Sequence, residues 1–273
     1  MRPEITRPKP IPPWIVAARS LMAATRFSTI DWVAETGSTN TDLVARAADR
    51  PLQELALAAD HQSAGRGRLA RQWLAPPGQN LLLSVLARPR CPAHRWPLAT
   101  SAMAVAVVDA TAAFGSTRAG IRWPNDVVVE GGRAPGKLAG VLAELVVDAE
   151  GPAAIVVGVG LNVGWPVEAG ARASLAATAL AACTDDMPAR EAILAAVLAE
   201  FEATMTIVEN DPRRLRELHL ERSLTVGREV RVARADGTTI EGRAVDIDED
   251  GRIVVRVAGV DEALSAGDVT HLR

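Results

Sequence analysis

The 273-residue chain contains no tyrosine, and all aromatics together make up 3% of it. A phenol therefore cannot serve as a catalytic acid, and recognition through a wide stacking surface has little material to work with. Cysteine is equally scarce. Cys91 and Cys183 lie far apart, and neither has a second Cys or a His at metal-ligand spacing, so a zinc site is excluded and both thiols read as buried or idle. There is no excess of positive charge. Thirty basic and 33 acidic side chains give a net charge of −3, which offers no electrostatic footprint for sequence-independent nucleic-acid binding. The longest apolar run, Leu98 to Phe114, falls short of the roughly 20 residues a membrane span needs and contains Asp109. No signal-peptide core opens the chain, so a cytoplasmic protein with no membrane and no nucleic-acid partner is expected.

The apolar content of 48% and the charged content of 23% are those of a chain that buries a core. The opening RPEITRPKPIPPW is so dense in proline that helix and central strand are both disfavoured, and residues 1–26 read as a flexible tail. No helix-turn-helix pattern precedes Phe27. From residue 27 to 222, segments rich in Val, Ile and Leu alternate with Ala-rich segments at helical spacing, an α/β (α+β) pattern. Helices are expected at Thr41–Ala48, Trp96–Phe114, Ala189–Val208 and Pro212–Glu221. Strands are expected at Leu55–Asp60, Asn80–Leu86, Ile121–Trp123, Asp126–Glu130, Ala139–Val147 and Ile155–Val159. Residues 223–273 change character: REVRVA, GRAVDID and RIVVRV are separated by the hairpin dipeptides Asp236-Gly237 and Asp250-Gly251, which suits a small all-β barrel.

Four clusters could carry chemistry. Gly37-Ser38-Thr39-Asn40 precedes a helix, and one of its side chains serves as an N-cap. Three consecutive hydrogen-bonding side chains exceed what one cap requires, and the surplus can hold a polar ligand. His61 to Trp73 reads HQSAGRGRLARQW. Its glycines and its Arg66, Arg68 and Arg71 present cations and backbone donors suited to phosphate or carboxylate, and the lack of apolar residues from Ser63 to Arg68 suggests a lid that orders on its ligand. The plain alternative is a solvated basic loop. Residues Gly131 to Lys137 nearly spell a nucleotide-binding P-loop. Leu138 stands where Ser or Thr must ligate Mg²⁺, and a strand follows where a helix should, so that reading fails. Lys137 remains notable, because an ammonium beside an apolar strand is costly unless an anion pairs with it. Gly158-Val-Gly160-Leu-Asn162-Val-Gly164 fails as a dinucleotide fingerprint, since its third glycine is one residue late and Trp165-Pro166 stands where a helix should open. It reads instead as a strand whose backbone a ligand can approach, with Asn162 as a two-sided hydrogen bonder.

In this order, GSTN, HQSAGRGR with a following Trp, RWPND, GKLAG with ELV, and GVGLNV resemble the catalytic domain of biotin–protein ligases, over about Phe27 to Arg273. The resemblance implies a class II aminoacyl-tRNA synthetase-like catalytic domain at 27–222, with a mixed, largely antiparallel sheet, and an SH3-like domain at 223–273. It implies the ATP-dependent conversion of biotin to biotinyl-5′-adenylate and transfer of the biotinyl group to a lysine of a biotin carboxyl carrier domain of an acyl-CoA carboxylase. Residue by residue, it implies that Ser38, Thr39, Asn40, Gln62 and Gly140 contact biotin and that Arg66, Gly67 and Arg68 close over the adenylate. Lys137 would meet the biotin carboxylate and the α-phosphate, and Trp73, Asp126 and Asn162 would lie on the nucleotide side. Arg66, Arg68 and Lys137 are the groups expected to carry catalysis, with Mg²⁺ arriving on the ATP phosphates. Arg122 stands where the family usually has Lys, and Ala70 where it usually has Gly. The four histidines, His61, His94, His219 and His271, are expected to be structural or exposed. A lipoate ligase of the same superfamily is the nearest rival, and a non-catalytic biotin-binding regulator the other; Ser38, Thr39 and Gln62 suit a ureido ring better than a dithiolane.

Overall fold

Strand Asn80–Ala87 (β3) is buried from end to end and strand Leu55–Gln62 (β2) over its first five residues, mostly by Leu, Ala and Val, so both must lie inside a sheet covered on its two faces. They do. The computed structural model describes residues 10–49, 53–115, 118–164, 177–234, 236–265 and 267–272. Its larger sheet has seven strands in the order β1-β2-β3-β7-β6-β5-β4, with β1 at Ile30–Thr36, β4 at Ala119–Arg122, β5 at Asp126–Val129, β6 at Gly136–Asp148 and β7 at Gly151–Asn162. Only the β1–β2 pair is parallel; the other pairs are antiparallel, the mixed, largely antiparallel arrangement expected.

One face is covered by helices α3 (Ala99–Ala113) and α5 (Arg190–Asn210), the other by α2 (Thr39–Asp49). The helical stretch Ala93–Ala113 is long and apolar enough to cross a membrane, longer than its apolar run suggested, but 11 residues of α3 are buried against the sheet and α5. A buried core helix accounts for its hydropathy. Helices α4 (Leu180–Cys183) and α6 (Pro212–Glu221) complete this layer.

The expected flexible tail needs correction. Residues 1–9 lie outside the described residues, as do 165–176 with Trp165-Pro166, but Pro13–Leu21 forms a helix, α1. Its prolines fall at the N-cap and in the first turn, where a missing N–H costs nothing, and Ile15, Ala18 and Met22 share a face that is fully buried. Trp14 stacks under the Arg190 guanidinium at 4.0 Å, and Arg190 pairs with Asp60 at 2.5 Å.

The second sheet, in the order β11-β10-β9-β8-β12, is antiparallel throughout and has its own apolar core: β8 Glu229–Ala233, β9 Thr239–Ile247, β10 Ile253–Val257, β11 Val260–Leu264 and β12 Asp268–His271. Trp123, expected in a catalytic-domain strand, instead lies just beyond β4 and fills that second core, its indole N–H donating to Gly251 O at 2.9 Å. Arg222 and Leu224 bond to the backbone of Ile121 at 2.7 and 2.8 Å, so the segment leading into the second sheet is stitched to β4. This seam brings β12 alongside the cavity described next.

Candidate active site

All twelve expected site residues line a single cavity of about 930 Å³ over the C-terminal half of β7 and the N-terminal half of β6. Its floor is made of glycine for a steric reason. A Cβ at Gly158 would lie 2.1 Å from Asn40 Oδ1, and one at Gly160 would lie 2.4 Å from the Trp73 indole. Gly140 carries both Trp73 and the aliphatic end of Lys137, each within 3.3 Å of where a Cβ would stand. These glycines let side chains settle directly on the sheet backbone.

One wall is a buried polar chain. Ser38, Thr39 and Asn40 are each 5% exposed or less at the start of α2. The Thr39 amide and hydroxyl both reach Gln62 Oε1, at 2.8 and 2.9 Å, and Thr39 Oγ1 lies 2.7 Å from Ser84 Oγ. Ser84 donates to Asn40 Oδ1 at 2.6 Å, and Asn40 Nδ2 donates to Leu142 O and Glu144 Oε2 at 3.1 and 3.0 Å. Two hydroxyl protons serve three contacts, so donors are the scarce element and the chain keeps acceptor capacity for a donor on a ligand.

The opposite wall carries charge. Lys137 Nζ sits 2.6 Å from Asp126 Oδ1 and 5.4 Å above the Trp73 ring. Arg66 pairs with Glu144 at 2.9 Å. Arg68 donates to Asn125 Oδ1 at 3.2 Å and to Gly267 O at 3.3 Å; burial pulls its pKa below the ordinary guanidinium value, against the raising effect of Asp268 and Asp126. It stays charged regardless.

The arginine loop, expected to await a ligand, is already a short hairpin. Arg66 and Gln72 pair, the Gly67 N–H donates to Arg71 O at 2.7 Å, and the Trp73 N–H donates to Gly65 O at 2.9 Å. Leu69 and Ala70 both have positive φ (54° and 56°), and the Arg71 N–H closes the turn on Arg68 O at 3.1 Å. Arg71 pairs with Asp268 at the start of β12, which anchors the hairpin to the second sheet.

Asn162 lines the cavity and also braces the sheet. Both its N–H donors are used, toward Lys137 O at 3.2 Å and Thr178 O at 3.0 Å, and Oδ1 accepts from Asn80 at 3.1 Å. It braces the Lys137 backbone and keeps one lone pair for a ligand. His61 does not face the cavity, because strand alternation turns it away from Gln62. His271, expected to be structural or exposed, stands in the cavity wall. Burial, with Arg122 and Arg228 nearby, lowers its pKa to about 4, so it is neutral near pH 7. His219 is buried without a partner on either ring nitrogen.

Sequence reasoning missed Ser84, Arg122 as a wall residue, and Asp268 with His271. Ser84 had a signal, as the single polar side chain inside LLLSVL. The β12 residues had none, since only the tertiary seam brings them here.

This fold and this cavity are those of an acyl-adenylate-forming ligase family. Residues 34–162 match the biotin/lipoate A/B protein ligase family and residues 225–272 match the biotin protein ligase C-terminal domain. The chain is 39% identical over 256 residues to a biotin–[acetyl-CoA-carboxylase] ligase of Mycobacterium tuberculosis, covering 92% of each chain. It is 30% identical to the ligase of the same name from Paracoccus denitrificans, covering 87% of this chain and 98% of that one. Among solved structures, a biotin protein ligase from Aquifex aeolicus in complex with biotin and ATP superposes with a TM-score of 0.73 at 25% identity, covering 90% of this chain and all of that one. The chain belongs to the biotin protein ligase family.

Proposed function

We propose that this protein activates biotin with ATP and transfers the biotinyl group to a lysine of a biotin carboxyl carrier domain of an acyl-CoA carboxylase. The observation that carries the reading is the juxtaposition, in one cavity, of a buried polar wall at Ser38, Thr39, Asn40 and Gln62 with the cations Arg66, Arg68 and Lys137. The polar wall suits a cyclic urea. A ureido N–H can donate to the acceptor capacity this wall keeps spare, whereas a dithiolane has no N–H to offer it, which argues against lipoate.

In the first step the biotin carboxylate attacks the α-phosphorus of ATP and pyrophosphate leaves. Negative charge gathers on the α-phosphate oxygens, and fixed cations lower the barrier without having to reorganise. We assign this role to Lys137, supported by its position between Asp126 and the Trp73 face, with Arg66 and Arg68 on the hairpin above. Gly67 keeps the hairpin backbone close to the ligand, Gly140 lets Lys137 and Trp73 settle on the floor beside biotin, and Trp73, Asp126 and Asn162 flank the nucleotide. Mg²⁺ would arrive with the ATP phosphates and share their charge, because among the described residues no three His, Cys, Asp or Glu side chains converge on one point.

In the second step the lysine amine attacks the acyl carbon of the mixed anhydride and AMP leaves. The anhydride is already activated, so the protein contributes mainly by position. His271, neutral and beside Thr225, is no strong base. Incubation of the protein with biotin, Mg²⁺-ATP and a purified carrier domain should add one biotinyl group to the carrier by intact mass. An unmodified carrier in the presence of hydrolysed ATP would refute the transfer.

A further inference from the structure

Glu144 has no part in the chemistry set out above, yet it touches both walls of the cavity. By two-residue alternation along β6 it shares a face with Gly140 and Leu142, which line the floor. Its two oxygens are divided between partners. Oε1 lies 2.9 Å from an Arg66 terminal nitrogen, and Oε2 accepts from Asn40 Nδ2 at 3.0 Å.

We propose that Glu144 is a positioning residue, which aims the Arg66 guanidinium into the cavity and fixes that aim to the wall through Asn40. This rests on the acyl-adenylate reading, since it requires an anionic ligand for Arg66. Arg66 is 50% exposed, and an ion pair of such a side chain adds little to stability. Its effect is on orientation. With one terminal nitrogen on Glu144 and the other on Thr41 Oγ1 at 3.2 Å, the guanidinium still has the Nε–H and one N–H on each terminal nitrogen free for a carboxylate or phosphate. An arginine held in place before binding loses less rotamer freedom when the anion arrives. The far end of the linkage cannot drift, because Asn40 is 4% exposed, wedged over Gly158 and held by Ser84. The linkage Gly158–Asn40–Glu144–Arg66 thus runs from the rigid sheet floor to the hairpin.

Biotin-dependent ATP–pyrophosphate exchange of the full chain tests this with Glu144→Gln, Glu144→Asp, Arg66→Ala and the Arg66→Ala/Glu144→Gln double variant. Glutamine can still accept from Asn40, but it turns an N–H toward Arg66, so it breaks the guanidinium pair alone. Glu144→Gln should raise the KM for biotin about tenfold or more with a smaller change in kcat and an unchanged melting temperature, the size expected when a binding group is misplaced. Added to Arg66→Ala it should change KM by less than about twofold, since the group through which it acts is already gone. Glu144→Asp keeps the charge and should recover most of the loss. A wild-type KM in Glu144→Gln, multiplicative losses in the double variant, or an Asp variant as poor as Gln would each overturn the proposal. A wild-type protein without biotin-dependent exchange would instead refute the underlying reading.

Discussion

Gly158→Ala probes the polar wall at its tightest point. The added methyl would stand 2.1 Å from Asn40 Oδ1 and 2.9 Å from its Cγ, well inside van der Waals contact, so the asparagine must move. Asn40 is 4% exposed and makes three hydrogen bonds, to Ser84, Leu142 and Glu144. Losing one of these bonds costs about 1 kcal/mol net, and overpacking a tight site costs about 1–3 kcal/mol, so a loss of roughly 2–4 kcal/mol follows. For a chain of this size that lowers the melting temperature by roughly 5–15 °C. Displacing Asn40 also breaks up the wall against which the biotin head would rest, and biotin affinity should fall about a hundredfold. Differential scanning fluorimetry and calorimetry read the two effects. Gly37→Ala is the stability control, because a methyl there meets nothing within 4 Å. A Gly158→Ala protein that melts within about 2 °C of wild type and binds biotin equally well would show that the wall is not packed as described.

Lys137→Ala should slow biotin-dependent pyrophosphate exchange by about 10²–10³, or ~3–4 kcal/mol, while transfer from supplied biotinyl-adenylate slows less; a near wild-type exchange rate would remove Lys137 from the chemistry. His219 is buried and its pKa is lowered to about 4, so the unfolded chain takes up the proton first as the pH falls. Its contribution is therefore intact above pH 6.5 and lost between 6.5 and about 4, by up to about 3 kcal/mol. His219→Leu should melt higher than wild type and lose stability less steeply across that window, and parallel melting curves against pH would contradict this. In the hairpin, Leu69→Asn/Ala70→Gly places at the two positive-φ positions the residues that tolerate them. Removing about 1 kcal/mol of left-handed strain should slow hydrogen exchange at the Gly67 and Arg71 amides roughly fivefold, whereas unchanged exchange would mean the turn is not strained.

Much of this was legible in the sequence where the signal is local. Helix α6 matches its expected span, and β2, β3 and β5 to β7 were found from their apolar runs to within a few residues. The order of the motifs named the residues that meet in one cavity. Local reading failed where prolines occupy positions a helix start tolerates, as in α1, and where a short strand carries mixed side chains, as in β1 with Asp31 and Glu35. It also failed wherever a contact depends on the seam between the sheets. Nothing in RWPND says that Trp123 belongs to the second core, or that Asp268 and His271 return to the cavity from the far end of the chain.

The central claim is that the cavity selects biotin and pairs it with ATP. Isothermal calorimetry of the protein with biotin and with lipoate, each in the presence of Mg²⁺-ATP, tests it most directly. Saturable binding with biotin, accompanied by pyrophosphate release, and no heat beyond dilution with lipoate is the predicted result. Equal or tighter engagement of lipoate, or pyrophosphate release that does not depend on biotin, would contradict it.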